Sequence, residues 1–510
     1  MTTKFSESLR NIFKKYNKKN FLNIKGNDYT FGYLDKLSNQ ISNCLLEKKI
    51  GTKNKIIIAA KKDIIIFASI FACLKIGCAY SIIDFEMPKE RLKKIFERCD
   101  PNLIIVNNKN ESLKARGRKK LLINKNLIKK YQSKIKDFAL PDSLPAYIMF
   151  TSGSTGFPKG AIIERKSILN FVETSKEKFL IKKNDIFTNV NPIYFDNSIF
   201  DIYSSFFNGN QLVVFQNEEV KDPRKLIKIL LKKKCTSWFS TPSLLIYLLK
   251  LKLINKKNFH YLKKIIFGGE GFPKPQLIEM IESVGKKNFY NVYGPTEGTC
   301  ICSSHLIRKK DLKNLTSYVT IGKIWNNFKF KIGKIDEKKI DSSKGELIIY
   351  GPNISQGYIG DTSQTKKAFI SDNKKKNKEK LLGYKTGDIV KNYGKNKDMY
   401  FVGRQDTQVK VMGYRIELNE IELSLNQIKG VNEAMVFTNS INNLTNKITA
   451  VISIKNKKLK KEAIYNALEK QLPYYMIPSN IFMVSGLLKN ANNKIDRVKL
   501  KKIYEKRTFI

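Results

Sequence analysis

Histidine is almost missing from this chain, with two residues in 510. The seven cysteines, at Cys44, Cys73, Cys78, Cys99, Cys235, Cys300 and Cys302, include no C-x-x-C pair. Together these shortages argue against a zinc site or a disulfide framework. The first twenty residues, MTTKFSESLRNIFKKYNKKN, hold no apolar run of the kind a secretory leader needs, so a cytoplasmic protein is expected. Acidic residues are scarce relative to basic ones, 45 against 95, for a net charge of +50. Such an excess taken alone raises nucleic acid or an anionic membrane as partner. The basic residues, however, are spread through every segment among Ile and Asn, and aromatics do not interleave with them as a stacking platform requires. Drift toward AT-rich codons accounts for the excess, and no nucleic-acid partner is expected.

Long apolar runs are also few. One, Ile64 to Ile83, has the length of a membrane span, but Lys75 and Gly77 interrupt it. It reads as a buried helix over Ile64–Leu74, stopped at Gly77, and a short inner strand over Ala79–Ile83, so no membrane span is expected. Elsewhere short apolar segments alternate with Lys-rich amphipathic ones: Leu103–Val106, Ala146–Phe150, Gln211–Phe215 and Ile265–Gly269 read as buried parallel strands. An α/β sheet with helices on both faces follows. From about Tyr318 the texture shifts to short strands with turn signals, and after Gly403–Asp406 it restarts as a compact α/β appendage. That appendage reads as strand QVKV, a helix over Glu417–Gln427, strands AMVF and ITAVISI, a helix near Glu462–Gln471 and a final strand. SDNKKKNKEK at Ser371–Lys380 reads as a solvated loop.

Chemistry concentrates first in YIMFTSGSTGFPKG, Tyr147 to Gly160. A strand runs into a loop with Gly153, Gly156 and Gly160, hydroxyls at Thr151, Ser152, Ser154 and Thr155, and a cation at Lys159. Glycines let backbone N–H groups turn inward, hydroxyls donate, and the lysine neutralises charge, so the loop suits a polyphosphate. It is not a Walker loop, because the GxxxxGK[ST] spacing fails and Pro158 precedes Lys159.

These residues resemble the phosphate loop of the adenylate-forming superfamily, and the resemblance recurs in order along nearly the whole chain. Phe195-Asp196-Asn197-Ser198, Gly268-Gly269-Glu270, Tyr293-Gly294-Pro295-Thr296-Glu297, Tyr384-Lys385-Thr386-Gly387-Asp388, Gly403-Arg404-Gln405-Asp406 and Asn493-Lys494-Ile495-Asp496 each match a family segment. The resemblance implies a large N-terminal domain, residues 1–404, of stacked α/β sheets with a distorted β-barrel subdomain from about 318 to 404. A small mobile α/β domain, residues 405–510, would carry the catalytic lysine. It implies ATP as co-substrate with Mg²⁺, Gly269 and Glu270 at the adenine-facing turn, Asn291 and Tyr293 on adenine, with Gly294 beside them, and Asp388 with Arg404 on the ribose. Thr296 would donate to the α-phosphate, Glu297 would offer Mg²⁺ a hard oxygen, and Lys494 would stabilise charge gathering at the transferring phosphorus. Asn493 stands where the family usually has Gly, a mild departure because Asn tolerates a left-handed backbone.

Within the superfamily, Asp196 points to the amino-acid-activating branch, where an Asp here pairs with the substrate ammonium. A helix-capping Asp is the plainer alternative. YFDNSIFDIYSSFFNG and WFSTPS resemble free-standing D-alanine:carrier-protein ligases more than nonribosomal peptide synthetase adenylation domains. By that resemblance Asn197, Phe200, Phe239, Ile266, Gly268, Val292, Cys300 and Ile301 line the substrate pocket. Gly268 is expected to enlarge it and Asn197 to make it more polar, so the small amino acid need not be D-alanine. Asp406 would be a hinge, and Lys410 to Arg415 the strand and loop brought to a phosphopantetheine thiol, with Gly413 either making room for that thiol or forming a hairpin turn. No carrier domain follows Ile510, so an acyl or peptidyl carrier protein is expected in trans. Asp142-Ser143-Leu144, spelled like a carrier's attachment site, reads as a linker before Pro145. An acyl- or aryl-CoA synthetase, and a basic binding protein with a degenerate site, are the alternatives.

Overall fold

The computed structural model describes residues 3–59, 61–107, 119–153, 155–313, 318–333, 343–372, 381–392, 398–441, 445–454, 459–490 and 495–507. Its residues fall into two compact units: Met1–Phe85, Cys99–Phe150 and Gly160–Gln405 form the larger, and Glu86–Arg98, Thr151–Lys159 and Asp406–Ile510 the smaller.

Two large sheets and one smaller sheet build the larger unit. In the nine-stranded sheet, Asn288–Tyr293, Lys264–Gly268, Ser237–Ser240, Ile186–Asn189, Gln211–Val214 and Asn20–Ile24 run parallel in that order. Antiparallel strands, among them Ser303–Leu306 and Asn27–Thr30, close its two sides. These parallel strands are buried on both faces, which is why they read as unbroken apolar runs rather than alternating ones. Their carboxyl ends fall at Asn189, Val214, Ser240, Gly268 and Tyr293, so the loops that follow gather along one edge, where open α/β sheets bind ligands.

The six-stranded sheet runs in the order Lys120–Leu122, Leu103–Val106, Lys55–Ala59, Ala79–Ile83, Pro145–Thr151, Lys159–Glu164. Between two of its strands lies the long apolar run, folded as a 13-residue helix over Ile64–Ile76. Asp63 caps it by accepting from Ile66 N at 2.9 Å, and Gly77 ends it with φ 74°. Twelve of the thirteen residues are buried, so the segment is spent on packing, each large side chain contributing about 1.5–3 kcal/mol. Among the described residues no helix is long and apolar enough to cross a membrane. Asp142 of the DSL tripeptide is buried and accepts from Lys4 N at 3.1 Å and Phe5 N at 3.0 Å, anchoring the first helix, Lys4–Lys15.

The third sheet is antiparallel, and the twelve-residue strand Leu381–Asn392 is its axis, pairing with Lys344–Tyr350, Phe369–Asp372 and Met399–Arg404. Ser371 and Asp372 belong to a strand, a correction to the expected loop, whose remaining residues 373–380 lie outside the described residues.

The smaller unit contains a hairpin, Gln408–Val411 with Tyr414–Glu417, and a three-stranded sheet, Val431–Ile441, Thr445–Ile454 and Asn480–Val484. Helices Leu418–Asn426 and Lys461–Glu469 fall where their periodicity predicts them. A last helix, Arg497–Arg507, is not apparent in the sequence, since among its described side chains the buried ones are Leu500 and Tyr504 in a lysine-rich run. It is held by Asp496, which accepts from Lys499 N at 3.0 Å, and by Arg497, which donates twice to Glu422 at 2.7 and 2.6 Å.

Candidate active site

Asp196 stands in the loop after the strand Ile186–Asn189, at the mouth of the three-residue helix Asn197–Ile199. Its side chain makes no capping bond to that helix. Instead the carboxylate accepts from Thr296 Oγ at 2.6 Å, across 100 residues of sequence. The capping alternative is thereby set aside, and Thr296 is seen donating to a carboxylate rather than standing free for a phosphate. A π-turn over Phe200–Ser204 follows, a rare form of helix that concentrates at functional sites.

Asp196 is half-buried and acts electrostatically on Cys300, a member of a buried apolar cluster. Phe200, Phe239, Ile266, Val292, Cys300 and Ile301 are all buried and belong to one continuous core cluster. Phe200 meets Phe239 edge to face at 5.4 Å between ring centres. Burial first, and then the Asp196 carboxylate, push the Cys300 thiol well above its ordinary range, so it is a neutral wall. Thr299 and Cys300 both have positive φ, 60° and 74°, a strained bend pinned by Thr299 Oγ donating to Asn353 O at 2.6 Å. Asn197 is only half-buried.

Gly268 corrects an expectation. It pairs in register with Val292, and a Cβ placed on it would lie 2.5 Å from both the Val292 Cγ2 methyl and the Val292 carbonyl oxygen. The glycine permits a close approach of two strands and opens no extra space; the Val292 methyl fills the position.

A second cluster lies at Tyr293 and Asp388. The Tyr293 hydroxyl donates to Asp388 Oδ2 at 2.5 Å, and Arg404 donates to Asp388 Oδ1. Strand pairing sets Asp388 opposite Arg404 in register, which explains how residues sixteen apart meet. Both carboxylate oxygens are engaged, yet each retains a lone pair, so Asp388 can still accept from a diol. Burial and the adjacent Asp388 push the Tyr293 phenol well up, keeping it a donor. Asn291 is buried and its amide N donates to Thr320 O at 2.9 Å, which leaves its oxygen as the acceptor an adenine amine requires. Glu270, after Gly269, accepts from Ser243 Oγ.

Glu297, fully buried, accepts from the Tyr358 hydroxyl at 2.5 Å. Mg²⁺ is commonly bound by one or two carboxylates together with substrate phosphates, and a buried glutamate is a donor of that chemistry.

In the smaller unit the glycine-rich loop has its donors occupied by oxygen acceptors. Gly153 N–H donates to Glu420 Oε2 at 3.2 Å, Lys159 Nζ to Glu417 Oε1 at 3.2 Å, and Ser152 Oγ to Arg415 O at 2.5 Å. Lys94 Nζ donates to Gly156 O at 2.7 Å, and Arg91 pairs with Glu420 at 2.6 Å, both side chains buried. Carboxylate oxygens thus sit on the donors where phosphate oxygens are expected, evidence that this loop attracts oxyanions. Thr151 is half-buried and Thr155 exposed, while Ser154 and Lys494 lie outside the described residues. Asp406 accepts from Gln408 N at 3.1 Å at the start of the hairpin bearing Lys410. Met412 and Gly413, with φ 49° and 81°, form its two-residue turn, so Gly413 has a structural duty of its own.

Sequence reasoning missed Tyr358, Glu417 and Glu420, for which no local signal existed.

Comparison with known proteins identifies the family. The family described as AMP-binding enzyme matches residues 9–359. A D-alanine--D-alanyl carrier protein ligase of Bacillus licheniformis is 29% identical over 487 residues, covering 92% of this chain and 94% of its own length. Among solved structures, the o-succinylbenzoate CoA synthetase of Bacillus subtilis, bound to a product analogue, aligns with TM-score 0.84 at 20% identity, covering 97% of this chain and 98% of that one. The Vibrio cholerae adenylation domain AlmE, in complex with glycyl-adenosine-5'-phosphate, aligns with TM-score 0.81 at 19% identity, covering 99% and 98%.

Proposed function

The chain belongs to the AMP-binding enzymes and is an ATP-dependent adenylate-forming ligase, and from that premise we propose that its substrate is a small amino acid, D-alanine or another. The observation that carries this reading is Asp196: a carboxylate not spent on capping its helix, held by Thr296 and close enough to the buried Cys300 to act on its thiol. A half-buried carboxylate beside an apolar cluster attracts a cation, and a substrate ammonium fits that charge.

In this reading Asp388 and Arg404 hold the ribose, Tyr293 lies against the base, and Asn291 accepts from the adenine amine. The glycine-rich loop exchanges Glu417 and Glu420 for the β- and γ-phosphates. Glu297 would hold Mg²⁺, which when bound neutralises phosphate charge. With the ammonium fixed by Asp196, the substrate carboxylate is aimed at the α-phosphorus, and Lys494 sets its ammonium against the charge that develops there, where it acts more strongly on the transition state than on the ground state. Residues 405–510 are read as a mobile domain that turns about Asp406 and brings Lys410 to Arg415 to the thiol of a separate carrier protein's phosphopantetheine. The likeness to D-alanyl carrier protein ligases supports that acceptor.

An acyl-CoA synthetase would share the ATP half-reaction without needing an ammonium. ATP/pyrophosphate exchange, screened over amino acids and simple carboxylic acids, separates the two. Exchange should require a free amine and fall about a hundredfold in Asp196→Ala, as expected for a lost charged contact. Equal exchange with simple acids would remove the amino-acid reading.

A further inference from the structure

Two asparagines just upstream of Asp196 are gripped at both ends. The carbonyl oxygens of Asn189 and Asn191 accept from Lys62 Nζ at 3.1 and 2.7 Å, with Phe215 O as its third acceptor at 2.9 Å. Their side-chain amides donate to one oxygen of Asp201, Oδ2, at 3.0 and 3.2 Å. The Asn191 amide also reaches Phe239 O at 3.0 Å. All four residues are buried, Asp201 completely, and its second oxygen has no hydrogen-bond partner among the described residues. The ammonium and the carboxylate thus hold the same two asparagines, one through backbone carbonyls and the other through side-chain amides, and act on each other across the space between.

The origins of these groups give the arrangement its meaning. Lys62 follows a strand of the six-stranded sheet, Asn189 ends a strand of the nine-stranded one, and Asp201 lies in the π-turn five residues beyond Asp196. Keeping both charges out of water is expensive, and apolar side chains would pack there more cheaply. What the pair provides is a fixed path for the segment from Asn189 to Asp196.

We propose that Lys62 and Asp201 are positioning residues for amino-acid recognition, fixing Asp196 through Asn189 and Asn191 and fixing the facing wall through the Phe239 carbonyl. The inference rests on the reading of Asp196 as the ammonium partner. Burial lowers Lys62 to about 7 and raises Asp201 to about 7, so this clamp changes charge near neutrality. Other groups nearby are Glu219, which acts on Lys62, and Cys300, which is acted on by both Asp201 and Asp196. Asp63, next to Lys62, is turned to Ile66 N and Asn107. Protonating Asp201 weakens it as an acceptor, and the grip loosens on the acid side.

The test is amino-acid-dependent ATP/pyrophosphate exchange by the full chain, comparing wild type with Asp201→Asn and Asn191→Ala between pH 6 and 8. Both variants should raise the amino-acid KM about tenfold near neutral pH and move the ATP KM less than about twofold. Wild type should show the amino-acid KM rising toward acid pH, and Asp201→Asn should lose that limb. Should Asp201→Asn fail to fold, Asn191→Ala carries the same split between the two KM values. An equal rise in both KM values, an unchanged amino-acid KM, or an acid limb retained in Asp201→Asn would overturn the proposal alone. Wild type without any amine-dependent exchange would overturn the underlying reading with it.

Discussion

The Tyr293–Asp388–Arg404 cluster of the larger unit and the glycine-rich loop of the smaller one, each proposed above to meet part of a nucleotide, are built oppositely. Around Asp388 the acid is a permanent part of the site, pinned by Tyr293 and Arg404 through strand register. In the loop Glu417 and Glu420 sit on the donors, and in the proposed function phosphate oxygens take their place. A rigid, prepaired carboxylate suits a neutral sugar, which adds hydrogen bonds without changing the charge. A donor-rich loop suits a polyanion, which replaces one set of negative oxygens with another.

That contrast sets the order of expected effects. Lys494→Ala should be the most severe, lowering adenylate formation about a thousandfold while leaving nucleotide affinity nearly unchanged, as measured by single-turnover kinetics and nucleotide titration. Asp388→Ala should come next, raising the ATP KM about a hundredfold, because two charge-assisted contacts to the sugar go together. Glu417→Gln should act in the opposite direction, lowering the ATP KM by about twofold, since removing the occupant frees Lys159. If removing the acid hurts ATP binding equally in both places, the contrast between permanent and replaceable acids is wrong.

The smallest effect concerns pH. Asp201 is raised by burial to about 7, so its contribution to stability is fully present below its ordinary value of 3.8 and is lost as pH rises through 7. Lys62, lowered to about 7, contributes stability present above 10.5 and lost as pH falls through 7. Relative to Asp201→Asn, wild type should therefore melt at progressively lower temperature between pH 4 and pH 7, in thermal scans of both proteins.

Local pattern made the parallel strands, the helix over Ile64–Ile76 and the glycine-rich loop legible, because each is written in consecutive residues. The order of the matched segments pointed to Asp196, Thr296 and Asp388, though not to the Asp196–Thr296 hydrogen bond, which spans 100 residues. Lys62 could not be picked out among 95 basic residues, since only the fold turns it onto three carbonyl groups. Gly268 was misjudged for a similar reason: a glycine reads as empty space until the neighbouring strand brings Val292 against it. The last helix has too few apolar positions to announce itself.

Adenylate formation from an equimolar mixture of D-alanine and propionate, resolved by mass spectrometry, tests the central claim most directly, for the two acids differ only in the amine. An aminoacyl adenylate accumulating to the near exclusion of propionyl adenylate is the expected result. Comparable amounts of both would mean that Asp196 does not read an ammonium.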